Sequence, residues 1–176
     1  MLSSLVSGIF AIVVFAAEHP DKSAMQLTSS AFAEGQPIPA KYSCDDRNVS
    51  PPLKWTGTPE SAKRLALIAD DPDAPVGTWV HWVLYDLPAN TTELPEDLPK
   101  GQYTPGGGKQ GLNDFKHLGY GGPCPPFGSH RYVFRLYVLD TTLEKTQGAS
   151  RENLLRAMKG HVVANGRLTG KYARSK

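Results

Sequence analysis

The chain has 176 residues, 40% hydrophobic and 20% charged, a size and balance suited to one ordered domain with its own core and unlike a disordered segment. Its formal net charge is +2 and its lysines and arginines are scattered, which argues against a nucleic-acid partner; Lys171, Arg174 and Lys176 read as a solvated tail. Seventeen glycines and fifteen prolines favour turns and short strands over long helices.

The first element in chain order reads as a targeting signal. Residues 5–17, LVSGIFAIVVFAA, are apolar and small. The run is too short for a comfortable membrane span and fits the hydrophobic region of a secretory signal. Val14-Phe15-Ala16 places small residues where a signal peptidase reads, so cleavage is expected near Ala16 or Ala17. Residues 1–17 hold no lysine or arginine, and an uncleaved anchor or a mis-set start codon are the alternatives. Residues 1–24 are therefore expected to be signal peptide and linker, and 25–176 the folded domain. The mature chain is expected in the periplasm or outside the cell, with the cytoplasm as the alternative.

Leu27 to Ser30 is a short strand candidate, and Gly35 to Pro39 signals a turn. Tyr42 to Pro52 is a loop rich in Asx and Ser turn formers, followed by a short strand at Leu53-Lys54-Trp55. Arg64 to Ala69 is an apolar run that feeds the polar Asp70-Asp71-Pro72-Asp73-Ala74-Pro75, which reads as a buried strand ending in a stiff loop. Trp79 to Leu87 is a β-branched and aromatic strand closed by Pro88. Strict alternation would put Trp79, His81, Val83 and Tyr85 on one face and Val80, Trp82, Leu84 and Asp86 on the other. Residues 88–130 read mostly as loop, a length that points to function or disorder. Arg131 to Leu139 alternates most clearly of all. Ser150 is placed to cap a helix whose Leu154, Leu155 and Met158 share a face and which Gly160 ends. A last strand is expected over Val162 to Leu168, with Gly170-Lys171-Tyr172 as tail. The sum is a strand-rich domain, a β-sandwich or barrel-like pair of sheets.

Cys44 and Cys124 are even in number and far apart. In an oxidising compartment they could bridge, and closing so long a loop would stabilise by about 4 kcal/mol on the chain-entropy account; in the cytosol they would be buried thiols. CxxC and multi-histidine spacings are absent, so a structural zinc site is not expected.

Three segments carry polar chemistry. The carboxylates of Asp71 and Asp73 read either as turn formers or as groups that accept a proton from a histidine or meet a cationic head group. His81 sits between Trp79 and Trp82, one tryptophan expected in the core and the other on a pocket wall. His130 follows the Gly/Pro-rich stretch Gly119 to Gly128, and Tyr132 shares its face two residues on. Ser129-His130 suggests a hydrolase pair, but neighbours on a strand point to opposite faces and no GxSxG elbow exists.

Taken in order, CDDRNVSPPLKW, DDPDAP, WVHW, GPCPPFGSHRYVFRLYVLD and AMKGHVVANGRLTGKYAR resemble the phosphatidylethanolamine-binding proteins, and most of all their bacterial YbhB/YbcL-type, Raf-kinase-inhibitor-like branch. The likeness runs from Phe32 to Arg174. It implies two antiparallel sheets with short flanking helices and a small surface pocket for phosphate-like anions or phospholipid head groups; no cofactor, metal or catalysis is expected. Some members inhibit kinases or proteases, which makes a protein-interaction module the alternative. The implied pocket residues are Asp71, Asp73, Trp79, His81, Gly122, Pro123, His130 and Tyr132. In that pocket the imidazolium ions of His81 and His130, the Tyr132 hydroxyl and loop amides near Gly122 would be the donors. The aspartates would hold the histidines or receive an ethanolamine ammonium, and affinity would fall as the histidines lose their protons. One departure is visible: Asp46 stands where the family pattern leads one to expect glycine, which puts the shape of that loop in question.

Overall fold

The computed structural model describes residues 25–143 and 149–174. The expected signal peptide and linker and Lys176 lie outside these. Nine elements follow in order: β1 (Gln26–Thr28), β2 (Leu53–Thr56), β3 (Arg64–Asp71), β4 (Trp79–Pro88), β5 (Glu93–Leu94), β6 (Lys109–Gln110), β7 (Ser129–Leu139), α1 (Arg151–Met158) and β8 (Val162–Ala173). A single 3₁₀ turn, Ala40–Tyr42, precedes β2.

β3 and β4 are buried along nearly their whole length, so each must be covered on both faces. They lie inside a five-stranded antiparallel sheet ordered β6-β4-β3-β7-β8. One face carries Leu65, Leu67, Trp82, Leu84, Tyr132, Phe134 and Leu136 against a small antiparallel sheet, β1-β2-β5, which contributes Leu27, Leu53, Trp55 and Leu94. On the other face Ala66, Ile68, Val80, Val83 and Tyr85 pack on Leu154 and Met158 of α1. The expected two-sheet architecture is therefore present. α1 begins as its sequence signals, with the Ser150 hydroxyl accepting from the Asn153 amide.

Two expectations need correction. The last strand does not stop at Leu168: β8 pairs with β7 from Val162 to Ala173, and the glycines that suggested a tail are accommodated inside it. Gly170 admits Ile38 so closely that a Cβ there would come within 2.4 Å of it, which is why a glycine sits mid-strand. The strict alternation of β4 also fails. Ala69 pairs with Trp82 and Asp70 with Val80, so His81 is the extra residue of a β-bulge. The bulge puts His81 on the face of Trp82 and Tyr132, while Val83 and Tyr85 face the helix.

The long stretch 88–130 is ordered by buried amides. Gln110 donates to the carbonyls of Pro99 and Gly101 and accepts from the Trp82 indole, while Asn113 donates to Gly119 O and accepts from His117 N. The loop then runs along the free edge of β4, where Asp114 N donates to Val80 O, and Gly121 N to His81 O at 2.9 Å.

Candidate functional site

The end of β3 and the starts of β4 and β7 meet at one end of the sheet, because antiparallel pairing sets the end of one strand beside the start of the next. The three carboxylates of the Asp-Asp-Pro-Asp segment separate there, and each takes its own cationic or imidazole partner from β7. Asp70 faces the helix side and accepts from Arg135 at 2.5 Å and from Arg151 of α1 at 3.1 Å. Asp71, on the opposite face, accepts from His130 Nδ1 at 2.7 Å through Oδ2 and from the Asp73 amide at 2.8 Å through Oδ1. Asp73 turns outward and holds Arg131 through both its Nε and its outer nitrogen. That pair holds the Asp73 carboxyl down at about 2.

Asp71 is thus a positioning group. With both oxygens engaged, it fixes the His130 ring with Nδ1–H toward the carboxylate. His81 is fixed differently. Its Nδ1 lies 2.7 Å from the Gly121 carbonyl. A carbonyl can only accept, so Nδ1 carries the hydrogen, and in the neutral ring Nε2 is a lone-pair acceptor. The His81 ring meets Tyr132 edge-on at 5.0 Å and Phe115 at 5.3 Å. Burial lowers the His81 pKa, against the opposing pull of the Gly121 backbone and Asp71. An imidazolium at His81, expected from the sequence, is therefore disfavoured.

A stability prediction follows, because the unfolded chain takes up a proton at this position at a higher pH than the folded chain does. The group's contribution to stability is complete above its ordinary value of 6.5 and is lost as pH falls below it. Unfolding free energy should therefore drop less steeply just below pH 6.5 in a His81→Gln variant than in the parent. Equal slopes in denaturant titrations would show that His81 titrates freely.

Beside these groups lies a cavity of about 210 Å³ lined by Asp71, Ala74, Pro75, Val76, Trp79, His81, Phe115, Cys124 and Pro126. Among the described residues no lysine or arginine lines it. Trp79 is on the wall, edge-on to Phe115 at 5.5 Å, and Trp82 is in the core. His130 and Tyr132 stand one layer behind, joined to the wall through Asp71 and His81. The Tyr132 hydroxyl is the one buried side-chain polar atom among the described residues without a hydrogen-bond partner. It sits near Asp71 and the Cys124 backbone, and burial together with the Asp71 charge raises its pKa.

Gly122 and Pro123 are close by but serve the scaffold. The Gly122 amide donates to Asn48 Oδ1 at 2.7 Å, and the Pro123 carbonyl accepts from Cys44 N at 3.0 Å. A Cβ on Gly122 would lie 2.3 Å from Tyr42 O, so only glycine allows this approach. The expected free donor at Gly122 is therefore already committed. Cys44 and Cys124 are joined as a disulfide, which fastens the 43–48 loop to the cavity wall. Asp46 does not take the left-handed conformation that raised the question of loop shape; Asn48 does, with φ 54°, a residue better suited to it. Phe115, Asn48, Val76 and Pro126 are the neighbours that sequence reasoning missed. An isolated aromatic in a polar loop was the one available signal, for Phe115.

The profile of the phosphatidylethanolamine-binding protein family matches residues 28–173. The UPF0098 protein of Methanothermobacter thermautotrophicus is 52% identical over 150 residues, covering 85% of this chain and 99% of that protein. Among solved structures, a phosphatidylethanolamine-binding protein homologue from Chlamydia trachomatis superposes with a TM-score of 0.80 at 43% identity, over 86% of this chain and 99% of the other. YbcL of E. coli, described as a member of the mammalian family, gives 0.80 at 32% identity over 87% and 100%. With a family match across nearly all of the described residues and a shared two-sheet fold, the chain belongs to the phosphatidylethanolamine-binding protein family.

Proposed function

We propose that this protein is a non-enzymatic binder of phosphate-like anions, as phosphorylated small molecules or phospholipid head groups, acting from the periplasm or outside the cell. The observation that carries the reading is the orphaned Tyr132 hydroxyl. A buried donor with no partner is destabilising by about 1–3 kcal/mol, so its presence behind a cavity floor of Asp71 and His81 is best accounted for by a ligand that it serves. Binding without catalysis is supported by Ser129, which is exposed while His130 is buried, so the one hydroxyl nucleophile next to that histidine lies on the other face of β7. Export is supported by the apolar segment 5–17 and by the disulfide, a bond that persists in oxidising compartments.

Tyr132→Phe tests the reading by separating stability from binding. Removing an unsatisfied hydroxyl should leave the free protein equally stable or more stable by about 1 kcal/mol, while calorimetric affinity for inorganic phosphate should fall about tenfold. A variant that loses stability and keeps its affinity would refute it.

A protein-interaction role is favoured by one separate observation: Val76 and Phe127 are 79% and 69% exposed, the first on the cavity wall and the second edge-on to His130. Capture of a protein partner that survives His130→Ala but is lost in Val76→Ser/Phe127→Ser would support that reading over the first.

A further inference from the structure

We propose that the cavity selects the singly protonated form of a phosphomonoester, a monoanion that brings its own P–OH hydrogen, and that His81 Nε2 accepts it. This rests on the anion-pocket reading above and narrows the ligand to one protonation state.

The geometry leads there in three steps. First, the His81 tautomer is fixed from behind. Gly121 N donates to His81 O while His81 Nδ1–H donates to Gly121 O, so backbone and ring are clamped to the same residue. Nδ1–H is committed, and the ring offers the cavity an acceptor. Second, little near the ring favours a dianion. The titratable groups around it are Asp70 and Asp71 from β3 and Tyr132 from β7, with His130 held beyond Asp71, while the loops contribute Phe115 and the disulfide-bonded Cys124. Among these, two are carboxylates. The nearby arginines are held elsewhere, Arg131 by Asp73 and Arg135 by Asp70. Third, the remaining wall is apolar, formed by Ala74, Pro75, Val76, Trp79 and Pro126. A second negative charge placed there would face low dielectric with no fixed cation to meet it. A phosphate monoanion answers each condition. Its P–OH gives a hydrogen to Nε2, its ester group lies on the apolar wall, and its charged oxygen is directed toward the floor behind which the Tyr132 hydroxyl stands.

The consequence separates this site from one that relies on charged histidines. Both lose affinity as pH rises, but here the proton that matters belongs to the ligand. Phosphate monoesters lose it near a second pKa of about 6. Calorimetric titrations with phenyl phosphate should show affinity falling about tenfold per pH unit above that value. With phenylphosphonate, whose second ionisation lies higher, the midpoint should move up by the same interval. Phenyl sulfate, of similar shape and single charge but without the hydrogen, should bind about tenfold more weakly or worse than phenyl phosphate at pH 5.5 (about the ligand's own pKa). Glycerophosphoethanolamine, a diester carrying an ammonium donor, should bind more weakly still and with no midpoint tied to a phosphate proton.

Equal affinity for sulfate and phosphate, or one midpoint shared by phosphate and phosphonate, would overturn the proposal and leave the anion pocket standing. Tighter binding of the diester would mean that the ammonium meets His81, and would also overturn it. Failure of every probe to bind would remove both. His81→Leu should abolish the preference for phosphate over sulfate; because the phosphonate shift is read on the parent protein, the outcome does not depend on how that variant folds.

Discussion

Replacing Asp70 by alanine is expected to lower unfolding free energy by about 3–5 kcal/mol, the range seen when one partner of a buried ion pair is removed. Asp70 is 1% exposed and accepts from two arginines that come from different elements. Arg135 is fixed on β7, the central neighbour of β3, and Arg151 opens the first turn of α1. Without the carboxylate, two cations would face each other across a half-buried space, and the sheet would lose its polar anchor to the helix. Asp73→Ala is the control. Its partner Arg131 is more than half exposed, and surface pairs of this kind contribute about 0–1 kcal/mol. Urea unfolding of both variants would measure the contrast, and a cost at Asp70 below about 1 kcal/mol would show that the buried pairing offsets only its own desolvation. Because Asp70 and Asp71 face opposite sides of the sheet, phosphate affinity measured well below the unfolding temperature should be retained in the Asp70 variant.

The adjacent carboxylates also show where sequence reasoning reaches and where it stops. Their cluster was visible, as were the strands that carry it, because β3, β4 and β7 announce themselves by apolar runs and alternation whose spacing is local. The helix was legible down to its Ser150 cap for the same reason. What each carboxylate does was not legible, since Arg135, His130 and Arg131 select among Asp70, Asp71 and Asp73 through pairing across strands some sixty residues away, a register no local pattern encodes. The bulge at His81 has the same character. WVHWVLYDL reads as unbroken alternation, and only pairing with β3 reveals that one residue is extra. Alternation alone would set His81 on the face of Val83 and Tyr85, toward α1 and away from Tyr132. The convergence of His81, His130 and Tyr132 came instead from the family resemblance, which carries tertiary information that periodicity lacks. Gly122 shows the reverse limit: a glycine near a pocket suggested a free amide, whereas its absent side chain serves the approach of the Tyr42–Asn48 loop.

That loop underlies the second large effect. Removing the disulfide by Cys44→Ala/Cys124→Ala is expected to lower stability by about 4 kcal/mol, because the bond spans 80 residues and its loss restores the freedom of a long loop to the unfolded chain. Replacing both cysteines avoids a new free thiol, so the measured difference reflects the link. The native contacts that remain, Cys44 N to Pro123 O and Gly122 N to Asn48 Oδ1, are backbone-anchored and short, so the loops should stay together in the folded state and the cost should fall mainly on the unfolded one. Denaturant titration tests this directly, and the m-value should drop when the bond is intact because the unfolded chain is then more compact. Phosphate affinity supplies the second readout. Cys124 forms part of the cavity wall next to the Tyr132 hydroxyl, so if the bond also orders the site, binding should weaken along with stability. If affinity holds while stability drops, the link acts on the unfolded chain alone. A thiol count on denatured, unreduced protein comes first in either case: two free thiols would remove the basis for both effects.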